Sequence, residues 1–188
     1  QRHAFSRAMM RSAAKLSYQE AQAAIDGNVS AKCAPHLETA LRPLWAAYAK
    51  LAQARDARGP LDLNLPERKI VLNAEGRVAR VIVPERLTAH RLIEEMMIQA
   101  NVAAAETLEE YRTACVYRVH AAPSKEKLTA LRDFLESVEI DFPSSGTLRP
   151  SHFNRILAQA KAMPVADLVN EVVLRSQAQA ESAHENYG

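Results

Sequence analysis

Apolar side chains recur at helical spacing over most of the chain and at strand spacing near its middle. Three or four residues separate successive apolar positions in the helical stretches, which predicts one apolar face on each helix. Six stretches have this spacing, the first of them short: residues 17–27, 35–57, 87–111, 124–138, 151–163 and 165–183. We therefore expect five or so helices in a helix-rich α+β fold.

Several helix ends carry recognisable signals. Ser17 is followed three residues later by Glu20, which predicts a capping box at the first helix. Ser124 and Ser151 are placed to cap two later helices. Gly59 and Pro60 form a pair that ends the long second helix.

The predicted strands lie mainly between the second and third helices. Residues 61–65, "LDLNL", alternate between apolar and polar, and "KIVLN" and "RVARVIV" flank a turn at residues 74–76. This pattern predicts one strand followed by a central hairpin. Residues 115–120 predict a further short strand, and residues 7–15 fit either a strand or the start of a helix.

Composition bounds the class of protein. Of 188 residues, 48% are apolar, which is enough for the core of one domain, and 24 basic against 22 acidic side chains give +2. This balance excludes a polybasic tail but not a local basic patch. No apolar run approaches the roughly 20 residues of a membrane span, and no signal peptide is recognisable. Cys33 and Cys115 have no paired spacing, so we expect a reducing, cytoplasmic compartment.

Catalytic motifs are absent from the sequence. The six aspartates are at least six positions apart, the histidines are scattered, and neither a phosphate-binding glycine loop nor a nucleophile elbow occurs. We therefore expect no metal site and no complete catalytic set within these residues. The first residue is Gln1, and the last residues follow closely on a helical pattern, so we expect a piece cut from a longer protein.

The third helix carries two polar lines on an otherwise apolar surface: His90, Glu94 and Asn101, and about 100° away Arg91, Glu95 and Gln99. One interpretation is an exposed ion pair between Arg91 and Glu95, with the first line hydrogen-bonded to neighbouring chain. The other is that one line faces a polar cavity or channel. A ribose hydroxyl would suit an ionised glutamate there, because that carboxylate only accepts hydrogen bonds.

The first fifteen residues contain four basic side chains and no acidic one: Arg2, Arg7, Arg11 and Lys15. They fit either a solvated end of the chain or a strip that contacts phosphates.

Five segments together resemble one family: "MMRSAAKLSYQEAQAAIDG", "ARGPLDLNLPERKIVLNAEGRV", "AHRLIEEMMIQANVAAAETLE", "YRVHAAPSKEKLTALRDFL" and "LVNEVVLRSQAQAESAHENYG". Their order is that of the catalytic RNB domain of the ribonuclease II and ribonuclease R family, and the bacterial ribonuclease R members are the most similar. The resemblance covers almost the whole chain and implies that residues 1–188 are the central part of such a domain. The flanking OB-type RNA-binding domains are then expected outside it.

The resemblance implies a processive enzyme that degrades single-stranded RNA from its 3′ end to nucleoside 5′-monophosphates. The family uses Mg²⁺ held by aspartates, which we expect in a segment preceding this one, so the isolated chain should bind no metal and be inactive. The family places a glutamate of its "IEE" motif beside the 3′-terminal nucleotide, and the resemblance matches this glutamate to Glu94 first and to Glu95 second. Leu61, Leu63 and Leu65 stand where some relatives have an aromatic residue that clamps bases.

Two expectations about partners complete the picture. Strands missing from the piece should leave apolar surface and strand edges exposed, so we expect it to self-associate. We expect no membrane partner, because no apolar run approaches the length of a membrane span. An alternative function is a non-catalytic helical module that binds RNA or protein.

Overall fold

The computed structural model describes residues 2–63, 65, 68–142 and 148–186. It is an α+β structure in which helix outweighs strand, as predicted. The α-helices among the described residues are α1 (Tyr18–Ile25), α2 (Arg42–Arg58), α3 (Thr88–Glu110), α4 (Lys125–Ser137), α5 (Pro150–Ala160) and α6 (Ala166–Ser176). The strands are β1 (Lys69–Leu72), β2 (Val78–Ile82), β3 (Tyr117–His120) and β4 (Ala180–Ala183).

The chain divides into two compact units, the first formed by residues 1–57 and 85–114 and the second by 58–84 and 115–188. In the first unit α1 packs against α3, and the side chain of Gln22 accepts a hydrogen bond from the backbone N–H of Ala89. A small core centred on Ala24, Cys33 and Leu41 lies beside α1.

The second unit is built around α4, α5 and α6. Its core contains eight buried residues: Leu131, Leu135, Ile140, Phe153, Ile156, Ala160, Val169 and Val173. Those on the helices recur three or four positions apart, so the apolar stripe read from the sequence is the face that packs inward. Two separate antiparallel pairs, β1 with β2 and β3 with β4, belong to the same unit.

The local signals for the first helix, for α4 and for the hairpin are confirmed. Ser17 and Glu20 form both hydrogen bonds of the capping box, and the Ser124 hydroxyl accepts from the N–H of Lys127. In the hairpin turn Asn73 accepts through its side chain, and Gly76 adopts φ +74°. These features depend on residues close in sequence, which is why the pattern alone located them.

The second helix begins differently from its prediction. A 3₁₀ turn at Ala34–His36 and a π turn at Leu37–Leu41 precede α2, whereas one α-helix was expected from residue 35. Pro43 explains the wider turn, since it cannot donate to the carbonyl four residues earlier and its ring clashes with that carbonyl. The helix ends as expected before Gly59, which has φ +58°.

Two predictions of regular structure are wrong among the described residues. Residues 7–15 form neither a strand nor a helix and are mostly exposed. Residues 61–63 and 65 also lie outside any strand. Asn154 on α5 holds this segment by donating to Pro60 O and accepting from the N–H of Asp62. These side-chain bonds satisfy backbone groups that a sheet would otherwise pair.

The last two helix boundaries also need correction. α5 has Arg149 rather than Ser151 at its N-cap, with Pro150 as its first residue, and it ends at Ala160. The final helix stops at Ser176 instead of continuing to residue 183, because Ala180–Ala183 pairs with β3 as β4. Helix propensity in this alanine-rich stretch is a weak preference that tertiary pairing overrides. Residues 143–147 of the predicted loop "FPSSGTLRP" lie outside the described part of the chain.

Candidate functional site

The two glutamates of α3 have opposite environments. Consecutive residues of a helix point about 100° apart, so Glu94 and Glu95 cannot face the same surroundings. The side chain of Glu94 is 40% exposed, whereas that of Glu95 is 2% exposed. Of the two, Glu94 can therefore reach a ligand, and Glu95 belongs to the interior of the first unit.

Arg55 on α2 is the partner of the buried glutamate. Its Nη1 lies 2.6 Å from Oε1 of Glu95, and the other carboxylate oxygen has no hydrogen-bond partner among the described residues. The expected exposed pair of Arg91 with Glu95 is therefore wrong. Arg91 is exposed, and Arg55, 40 positions before Glu95, supplies the compensating positive charge. A buried carboxylate requires such a partner because water no longer solvates it.

Glu94 lies between two arginines. Its Oε2 is ion-paired with Arg86, which precedes α3, and its Oε1 is 3.9 Å from Nη1 of Arg55. The four side chains thus alternate in charge, from Glu95 through Arg55 and Glu94 to Arg86. An ionised carboxylate has about four acceptor positions, so two arginine contacts leave acceptor capacity on Glu94.

The other members of the first polar line do not join this cluster. His90 caps α3 by accepting the backbone N–H of Leu87 at Nδ1, and its ring lies 4.2 Å from that of Tyr18. Asn101 is exposed. The interpretation in which this line hydrogen-bonds to neighbouring chain is therefore correct for His90. Glu94 is the accessible member of the line that faces two cations.

The basic residues near the N-terminus lie on an exposed segment without helix or strand. Arg7, Arg11 and Lys15 are all exposed, and no described ion pair or hydrogen bond joins them to Glu94 or Glu95. His3 anchors the beginning of the segment, since its Nε2 is 3.0 Å from the hydroxyl of Thr107 on α3. The structure therefore displays these cations to solvent.

The described residues do not fit a divalent-metal site. No three His, Cys, Asp or Glu side chains come together in that part of the chain. Glu94 and Glu95 are also poor metal ligands, because an arginine already neutralises each carboxylate and would repel a cation. No catalytic step is therefore assigned to a metal held by these side chains.

The second unit contains a separate cleft of about 760 Å³. Its lining includes the apolar side chains of Leu61, Leu63 and Leu174 and the polar side chains of His120 and Lys127. Both polar side chains contact backbone carbonyls, Lys127 that of Gln177 and His120 that of Ala178. Leu61 and Leu63 also pack against the helical core of this unit.

Comparison with known proteins gives the class of this chain. The family model of the RNB domain matches residues 1–188, and the chain belongs to that family. Ribonuclease R of Vibrio cholerae is 33% identical over 186 residues, which are 96% of this chain and 22% of that protein. Ribonuclease R of Escherichia coli is also 33% identical over 186 residues, covering 98% of this chain and 23% of that protein. The chain thus spans about a quarter of the length of these relatives or less.

Solved structures give the same fold. RNase R of Mycoplasma genitalium in complex with ribose methylated single-stranded RNA matches with a TM-score of 0.79 and 24% identity, over 89% of this chain and 26% of that one. The same protein in complex with double-stranded RNA matches with the same TM-score. No helix in the described ranges is long and apolar enough to cross a membrane.

Sequence patterns placed Glu94 and Glu95 among the candidate residues but missed Arg55 and Arg86. Arg86 lies eight residues before Glu94, so helical spacing does not relate the two. Arg55 lies on another helix, and its only signal is a charged residue near the end of α2. Neither position could be selected from one sequence without the tertiary contact.

Proposed function

We propose that this chain is part of a processive 3′→5′ exoribonuclease that hydrolyses single-stranded RNA to nucleoside 5′-monophosphates. The match of the RNB model to residues 1–188 supports this function, as do relatives that are ribonuclease R over nearly the whole chain. The proposed enzyme depends on Mg²⁺ held by residues outside this chain. The 188 residues by themselves position RNA and do not cleave it.

Glu94 is proposed to bind the 3′-terminal nucleotide by accepting a hydrogen bond from a ribose hydroxyl. The observation that supports this role is an accessible carboxylate held between two guanidinium groups. An ionised carboxylate can only accept hydrogen bonds, and the two arginine contacts leave acceptor capacity on Glu94. A 3′-terminal ribose carries two hydroxyl donors, at its 2′ and 3′ positions. A terminal 2′-deoxyribose lacks the 2′-hydroxyl.

Arg7, Arg11 and Lys15 are proposed to contact the RNA backbone. Their side chains are exposed on one segment without helix or strand, and such cations release the counterions condensed on a nucleic acid when they neutralise its phosphates. This contribution is independent of sequence and weakens as salt rises. It complements the role of Glu94, which concerns the terminal sugar.

The experiment compares full-length variants on two RNAs that differ only in a terminal ribose or 2′-deoxyribose. Glu94→Ala is expected to lower kcat/KM for the ribose terminus roughly ten- to hundredfold, the usual cost of a hydrogen bond to a charged group. Glu94→Gln keeps an acceptor oxygen and should lose less. Asn101→Ala, on the same helix and exposed, is the matched control and should retain activity.

Two outcomes contradict the proposal at different levels. Unchanged activity and ribose preference in Glu94→Ala exclude the role of Glu94. Failure of the full-length protein to release mononucleotides with Mg²⁺ present excludes the enzyme and favours a helical RNA- or protein-binding module. Release of mononucleotides by the 188-residue chain itself contradicts the proposal that the metal ligands lie elsewhere.

A further inference from the structure

Arg55 connects the buried and the accessible glutamate of α3. One nitrogen, Nη1, lies 2.6 Å from Oε1 of Glu95 and 3.9 Å from Oε1 of Glu94. The arginine side chain is 29% exposed, between the 2% of Glu95 and the 40% of Glu94. It therefore extends from the interior of the first unit to the surface where Glu94 is accessible.

The buried contact fixes the position of the guanidinium group. A carboxylate that is 2% exposed has lost its water and is stable only with a close cation. Arginine suits this place because its planar guanidinium group presents several donors in a rigid arrangement. Arg86, the other cation beside Glu94, is 52% exposed, so solvent competes for its contact.

We propose that Arg55 is a positioning residue that orients Glu94 toward the terminal ribose, using Glu95 as its anchor. The inference rests on the proposed role of Glu94. Arg55 attracts Oε1 of Glu94 from a fixed direction and so reduces the rotational freedom of the carboxylate before RNA arrives. Pre-organising an acceptor in this way reduces the entropy lost on binding.

The test measures equilibrium binding of full-length protein to RNA in EDTA, so that no cleavage occurs. Each variant is titrated with two RNAs, one ending in ribose and one in 2′-deoxyribose, and the ratio of the two Kd values is compared with wild type. A loss of folded protein lowers both apparent affinities equally and leaves this ratio unchanged. The ratio therefore reports positioning and not stability.

Arg55→Met alone leaves Glu95 buried without its cation, which lowers the stability of the folded protein. The decisive variant is therefore Arg55→Met with Glu95→Met, because replacing both members of a buried pair by apolar groups is often close to neutral for stability. The Glu94 hydrogen bond should contribute about ten- to hundredfold to the ribose preference. We expect the ratio of Kd values in the double variant to fall by about tenfold. Arg55→Lys keeps the charge without the planar group and should lie between it and wild type.

Two further variants complete the design. Adding Glu94→Ala to the double variant should reduce the preference no further than Glu94→Ala alone, since both changes act through one carboxylate. Arg42→Met is the control, because Arg42 is an exposed arginine paired with Glu38 at the start of the same helix. It should keep the wild-type ratio.

The outcomes separate this inference from the function on which it rests. A wild-type ratio in the Arg55→Met, Glu95→Met variant, together with a lost preference in Glu94→Ala, overturns the role of Arg55 and retains that of Glu94. An unchanged ratio in Glu94→Ala removes the function of Glu94, and the role of Arg55 falls with it. Loss of preference in both, without additivity, supports the inference.

Discussion

On α3 the charge of Glu95 is paired inside the fold, whereas the carboxylate of its neighbour Glu94 is partly exposed at the surface. Glu95 and Arg55 join α3 to α2, whereas Glu94 and Arg86 lie at the margin of the same cluster. Neighbouring glutamates in one sequence motif thus have separate tasks, one structural and one proposed for RNA. This difference predicts unequal effects on stability.

Glu95→Ala should lower the free energy of unfolding far more than an exposed charge change does. Removing it leaves Arg55 without its closest carboxylate. Breaking a buried pair typically costs about 3–5 kcal/mol, and since Arg55 is 29% exposed we expect about 2–4 kcal/mol. Urea unfolding followed by circular dichroism measures the change.

Glu38→Ala is the matched control for that measurement, because it removes the exposed partner of Arg42. It should cost less than about 1 kcal/mol. Equal effects of Glu38→Ala and Glu95→Ala would show that Glu95 is solvated.

Glu20 gives a prediction about acid stability. The backbone N–H of Ser17 and the ammonium of Lys32 lower the pKa of this carboxyl from 4.5 to about 2. A depressed pKa stabilises the folded chain above pH 4.5, and that contribution is lost as the pH falls toward 2. Glu20→Gln keeps a capping oxygen without the charge.

We therefore expect the stability difference between wild type and Glu20→Gln to be constant above about pH 5.5 and to shrink between pH 4.5 and 2. Thermal unfolding across this pH range measures it. Because Glu20 and Lys32 are exposed, the difference should also decrease in salt. A difference that grows on acidification contradicts the assigned direction.

At the scale of elements, three of the described helices end in the same pair of backbone hydrogen bonds. In α1, α3 and α4 the chain turns through a left-handed residue, respectively Gly27, Arg112 and Glu139, with φ between 51° and 103°. The N–H of Glu139 bonds to Glu136 O and that of Ile140 to Leu135 O, which is the hydrogen-bond pattern of a Schellman motif. Glycine is the residue that adopts this conformation without strain, yet two of the three motifs lack it.

Glu139→Gly should stabilise the end of α4. The left-handed conformation costs a residue with a Cβ about 1–2 kcal/mol, part of which is offset by the greater freedom of glycine in the unfolded chain. A net gain of about 0.5–1 kcal/mol is expected in urea unfolding. Glu139→Ala removes the same charge without relieving φ, so a gain of equal size in that control would assign the effect to charge.

At the scale of the whole chain, the β1–β2 hairpin leaves one apolar face exposed. Ile70 lies opposite Val81, and Leu72 lies opposite Val78, so these side chains share one face. Their exposed fractions lie between 56% and 63%. A face of this kind, beside unpaired strand edges, favours association.

We expect the 188-residue chain to self-associate through this face. Replacing both Ile70 and Val81 by threonine keeps strand propensity but removes apolar surface, and it should shift the chain toward monomer in sedimentation velocity. Leu168→Thr, at an exposed position of α6, is the control. A monomeric wild type at high concentration, without binding of an apolar dye, contradicts this prediction.

The sequence by itself determined the features that residues close along the chain can form. The capping box at Ser17, the hairpin around Asn73 and the extent of α3 depend on hydrogen bonds and periodicity within a few residues. The sequence also placed Glu94 and Glu95 among the candidate residues, whereas their different exposure came from the structure. Their family motif could be read because it lies within one helix.

Tertiary structure decided the features whose partners are distant. Residues 180–183 have helical composition but form β4, because β3, some 60 positions earlier, offers a strand edge. Glu95 has Arg91 one turn away, yet the fold buries it against Arg55 on another helix. Which residues become buried, and which partners they find, depends on the free energies of contacts between residues distant in sequence. The local pattern of apolar and polar residues contains no measure of those free energies.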